Sequence, residues 1–216
     1  MNYLSHYRYE AYGLNAHEVA GLVLADLSRL RGRGFRLKPV MGPLLLAAAD
    51  INKGVIKHLA ADAAWHGGTG LTQIQNAIEA YLEAAIQPIP RRYFFAHIAA
   101  ELLLDRYLLE QEPQLVKDFY KTLDAVKPEE VIELIQKSDH PELAGAVATE
   151  FQRFKQVRFL EKYVDDGHLL AILKGIYRGV VKTDLPFAES QTGSLYREIK
   201  PVLAQVAAEI FKPWPV

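Results

Sequence analysis

His58, Asp62 and His66 stand four residues apart in the segment GVIKHLAADAAWHGGTG, in a chain with only seven histidines. That spacing brings side chains to one face of a helix, so the three can line a single groove. His97 and Glu101 repeat the spacing in FFAHIAAELLLDRYL, and Asp105 stands one turn further on. Cysteine is absent, which leaves imidazoles and carboxylates as the ligands for a divalent cation. A cation held this way offsets phosphate charge and lowers the pKa of a bound water, the chemistry of metal-dependent phosphoester hydrolysis. His6 near the start and Asp26 in GLVLAD are further candidates. An acid that follows Leu22, Val23, Leu24 and Ala25 needs a partner.

Each pair also has a plainer reading. A histidine four residues from a carboxylate serves equally as a surface hydrogen bond. His66 precedes Gly67 at a helix C-terminus, where the helix dipole favours a cationic ring. Asp105-Arg106 reads as part of a solvated face.

The elements that must position these residues are helices, since almost every stretch between Pro and Gly shows helical periodicity. Asn15 and Glu18 form a capping box for a helix that starts near Ala16 and ends before Arg31-Gly-Arg-Gly34. The next helix spans Pro43 to His66, and its first half, LLLAAAD, reads as buried. Thr72 caps a helix through Ala85, Gln87-Pro-Ile-Pro90 makes a rigid corner, and Arg91 to Gln111 carries His97 and Glu101. Further helices are expected over Gln114 to Ala125, Glu129 to Lys137, Glu142 to Val164, His168 to Val181 and Ser194 to Phe211. No repeat or linker separates them. The expectation is an all-α, single-domain bundle of eight to nine helices over residues 1–216.

Half of the 216 residues are hydrophobic and 24% are charged, a balance that supports a sizeable core. A net charge of −1 gives no electrostatic case for nucleic acid. No apolar run is long enough to cross a membrane, and the opening MNYLSHYRYEAYG is no signal peptide, so a cytoplasmic address is expected. No G-x-S-x-G elbow or dinucleotide fingerprint occurs. Gly67-Gly68-Thr69-Gly70 lacks the lysine of a phosphate loop and reads as a turn.

In order and separation, Met1-Asn-Tyr-Leu-Ser-His6, Gly21-Leu-Val-Leu-Ala-Asp26 and Gly54-x-x-x-His58-x-x-x-Asp62 resemble the bacterial acyl carrier protein phosphodiesterases. Phe159-Leu-Glu-Lys-Tyr163 and Ile172-Leu-Lys-Gly175-Ile-Tyr-Arg178 resemble that family's later helices, so the likeness covers most of the chain. The resemblance implies an all-helical relative of the His-Asp phosphohydrolases that removes 4′-phosphopantetheine from acyl carrier protein. It implies a divalent cation, manganese foremost with zinc or iron as others, held by His6, Asp26, His58 and Asp62. His58 and Asp62 are then the catalytic pair, with His97 and Glu101 completing the shell. Two departures stand out. His66 takes the place of a family aspartate, and His97-x-x-x-Glu101-Leu102 that of an Asp-x-x-x-Asp-His run. Histidine for aspartate lowers the negative charge and favours softer ions such as zinc.

Arg91 and Arg92 open the His97 helix as candidates to clamp a phosphate. Arg29, Arg31, Arg33, Arg36 and Lys38 crowd ten residues, and Arg31, Arg33 and Arg36 are the expected docking patch for acidic acyl carrier protein. Two other readings stay open: a phosphohydrolase acting on another small phosphoester, and a non-catalytic helical protein that kept the fold.

Overall fold

The computed structural model describes residues 1–10, 13–27, 36–85 and 89–211. Among them α-helix dominates and no strand occurs, so the expected all-α class is the one observed. Ten α-helices follow in order: α1 (Tyr3–Tyr9), α2 (Ala16–Leu27), α3 (Leu46–Gly67), α4 (Thr69–Ala85) and α5 (Arg92–Gln111) come first. They are followed by α6 (Pro113–Asp124), α7 (Pro128–Gln136), α8 (Ala144–Val157), α9 (Asp166–Val181) and α10 (Glu189–Ile210). The helix beyond the expected eight or nine is α1, too short to show a periodic stripe. No described helix is long and apolar enough to cross a membrane.

These residues form two compact units. One holds Met1–Ser5, Trp65–Pro113 and Leu160–Val216, the other His6–Ala64 and Gln114–Phe159. In the first, α4, α5, α9 and α10 pack through Ile74, Ile78, Phe95, Leu103, Leu173 and Leu203, all fully buried. In the second, α8 packs on α2 and α7, with Phe119, Phe151 and Phe154 at the core.

Inside the second unit, α2 and α3 cross at backbone contact. A Cβ on Gly54 would collide with the Glu18 carbonyl, and one on Gly21 with the Ile51 carbonyl and the Gly54 Cα. Glycine is needed there for close approach. The Asn15 capping box is present: the Glu18 N–H donates to Asn15 Oδ1 at 3.0 Å, and the Asn15 N–H to Glu18 Oε2 at 3.1 Å.

Five expectations need correction. The LLLAAAD stretch is not buried throughout, because α3 starts only at Leu46; Leu45 and Leu46 are 70% and 80% exposed, and burial begins at Ala48. Helix α4 starts at Thr69 rather than after Thr72, and α10 at Glu189 rather than Ser194. The helix expected over Glu142 to Val164 breaks at Arg158, whose φ of 47° is left-handed, and a 3₁₀ turn over Phe159–Lys162 follows. Asp105 and Arg106 are buried rather than solvated, because each meets a partner inside the first unit. Asp105 accepts from the Leu4 and Ser5 N–H groups at 3.0 and 2.7 Å and from Ser5 Oγ at 2.5 Å. Arg106 pairs with Asp166 and Glu110 and stacks 4.1 Å over the Tyr196 ring.

Candidate metal centre

The close crossing of α2 and α3 sets Asp26, in the last turn of α2, against His58 in the middle of α3. His58 Nε2 lies 3.5 Å from Asp26 Oδ1. Asp62, one turn on along α3, places Oδ2 at 3.5 Å from the same nitrogen. From α1, His6 stacks on His58 with ring centroids 4.0 Å apart and brings Nε2 to 3.1 Å from Asp62 Oδ1. Four residues far apart in sequence therefore meet inside one compact unit. His6, Asp26 and His58 each bring a ligand atom within 4.8 Å of the others, and Asp62 is tied to both imidazoles.

The cluster is dry. His6 and His58 are 1% and 0% exposed, and Asp62 is 7%. Burial pushes the His6 ring down to about 3, with the neighbouring His58 adding to that and the Asp62 hydrogen bond only partly opposing it. His6 is therefore a neutral imidazole at physiological pH, the protonation state that can donate a lone pair. Burial alone would raise the Asp62 carboxyl, but hydrogen bonds from the His58 and His6 side chains outweigh it and hold Asp62 well below its ordinary range.

A divalent cation fits this donor set on one further observation. His6 Nδ1 and His58 Nδ1 are buried with no hydrogen-bond partner among the described residues, and His58 Nε2 meets only the Asp26 and Asp62 carboxylates, at 3.5 Å. A buried ring nitrogen with no partner is costly, and a cation shared with the carboxylates would engage one nitrogen of each ring.

His97 and Glu101 group with His66, and this trio belongs to the first unit. The sequence ladder set His66 beside Asp62 and His58 and gave no sign of His97; two histidines each placed a helical turn from an acid, on separate helices, were the available signal. Arg91 caps α5 in a left-handed conformation (φ 50°) and is exposed. The Arg92 guanidinium pairs with Glu83 at 2.9 Å and Glu79 at 3.7 Å. Of the basic patch, Arg31 and Arg33 lie outside the described residues, as does Arg29. Arg36 is exposed beside Lys38 and Lys137 in a shallow cleft of the second unit, where Lys38 pairs with Asp139 at 3.4 Å. Asn52 clamps that segment through both polar groups of Val40.

No family model, curated protein or solved structure matches the chain.

Proposed function

We propose that this chain is a metal-dependent phosphodiesterase of the acyl carrier protein phosphodiesterase type, hydrolysing 4′-phosphopantetheine from the holo carrier protein. One observation supports the reading above the others: His6, Asp26, His58 and Asp62, singled out by order and spacing, meet in one buried cluster with unpartnered imidazole nitrogens. His6, Asp26 and His58 would hold the cation, with Asp62 beside them. When bound, such a cation offsets phosphate charge and acidifies water.

The residues themselves do the positioning. Asp62 accepts from His6 and fixes that ring's orientation and tautomer. Burial keeps His6 neutral and therefore able to ligate. Asp26 and Asp62 flank His58 Nε2 at equal distances and supply the negative charge that a cation requires. Arg36, with Lys38 and Lys137, offers positive charge to an acidic partner such as acyl carrier protein.

The direct test incubates the purified chain with holo-acyl carrier protein and Mn²⁺ or Zn²⁺ and reads the carrier's mass. The reading expects loss of the phosphopantetheine mass in the presence of metal and none in chelator. An unchanged mass under every metal refutes the carrier-protein assignment. Turnover of other phosphoesters in a parallel panel would then point to a small-molecule phosphohydrolase.

A further inference from the structure

We propose that His66, His97 and Glu101 form a second, zinc-type cation site, separate in its residues from the one above and independent of the proposed activity. His66 comes from the last turn of α3, and His97 and Glu101 from one face of α5. One ligand atom from each lies within 4.8 Å of the other two. The rings of His66 and His97 stack nearly parallel, 5.1 Å apart at 9°. His97 Nε2 lies 3.5 Å from Glu101 Oε1. Tetrahedral zinc with bonds of about 2.0–2.1 Å needs donor atoms about 3.3–3.5 Å apart. The His97–Glu101 pair already has that separation, and rotation of the exposed His66 ring supplies the third donor.

The surroundings favour a cation. Helix α3 ends at Gly67, so His66 lies in the negative field of that helix C-terminus. Gln75 on α4 reaches His97 Nδ1 at 3.4 Å. Glu101 Oε1 also accepts from the Met1 amine at 3.1 Å, so an incoming cation competes with an ammonium for that oxygen.

Ligand chemistry sets the class of ion. Two imidazoles and one carboxylate prefer Zn²⁺ and Co²⁺ to Mg²⁺ or Ca²⁺. His66 is exposed and His97 is 32% exposed, so three protein ligands face solvent and water takes the remaining position. An open site of this kind binds exchangeable ligands, unlike a closed structural site.

Zn²⁺ and Co²⁺ titrations of the chelator-stripped full chain, by calorimetry and by the visible absorption of Co²⁺, test the assignment. His66→Ala, His97→Ala and Glu101→Gln should each weaken one binding event by about tenfold to a hundredfold, while the event lost in His58→Ala persists. Far-UV circular dichroism checks folding, and the near-isosteric Glu101→Gln separates ligand loss from misfolding. Isotherms and Co²⁺ spectra unchanged in all three variants overturn the second site. If instead His58→Ala is silent while His97→Ala loses an event, the second site stands and the metal assignment under the proposed function fails.

Discussion

Replacing His6 by Asn should remove a specific part of the protein's sensitivity to acid. In the native chain the buried His6 ring titrates near 3, against an ordinary value of 6.5. Between those values the unfolded chain binds a proton that the native chain refuses. The stabilisation from keeping His6 neutral is therefore fully present above about pH 6.5 and is lost as pH falls toward 3. At about 1.4 kcal/mol per unit, the depression corresponds to about 4–5 kcal/mol across the window. Asp105 acts in the opposite direction: burial raises its carboxyl to about 7 from 3.8, so its contribution fades as pH rises through that range. Asp62 is depressed, and its contribution is lost below its ordinary value of 3.8. The observable is therefore a difference. Urea unfolding of wild type and His6→Asn, in chelator, should give stabilities that converge as pH falls from 6.5 to 4. The convergence should approach about 1 kcal/mol per pH unit. Parallel curves would mean that His6 titrates normally, and the picture of a dry, neutral imidazole would be wrong.

Helix propensity alone says that Gly54→Ala should stabilise α3 by about 1 kcal/mol. Backbone contact with Glu18 reverses that sign, to a loss of about 1–3 kcal/mol or more in denaturant unfolding. Gly175→Ala on α9, where a new Cβ meets nothing within 4 Å, should instead stabilise; equal effects at both sites would contradict the helix crossing. Asp105→Ala strips the acceptor from the Leu4 and Ser5 N–H groups and should cost about 1–3 kcal/mol for each buried donor. A change near zero would place that carboxyl in solvent. Saturating Mn²⁺ at a hundredfold over its dissociation constant should add about 2.7 kcal/mol to wild-type stability and much less to His58→Ala, read as a shift in melting temperature.

The fold class was legible because apolar spacing near 3.6 recurs between Pro and Gly breaks, and nine of the ten described helices overlap stretches that the spacing or the Pro and Gly breaks mark as helical. Helix α1 overlaps none. The meeting of His58 with Asp62 followed from helix geometry, and the need of Asp26 for a partner from its apolar neighbours. That His6 joins them rested on family likeness, since no local pattern links residue 6 to residue 58. Burial misled wherever composition stood in for position. Leu45 and Leu46 look like core yet precede or begin their helix, while Asp105 and Arg106 look like surface yet have partners from distant sequence. The grouping of His66 with His97 needed the third dimension, because spacing along one helix cannot tell which neighbouring helix will supply the next ligand.

The most direct test of the central claim is the position of a bound ion. Crystals of the full chain soaked in Mn²⁺ and measured at a wavelength where manganese scatters anomalously should show a peak among His6, Asp26 and His58, about 2.0–2.3 Å from their donor atoms. Manganese found only elsewhere, with His58 Nε2 left facing Asp26 and Asp62 alone, would contradict it.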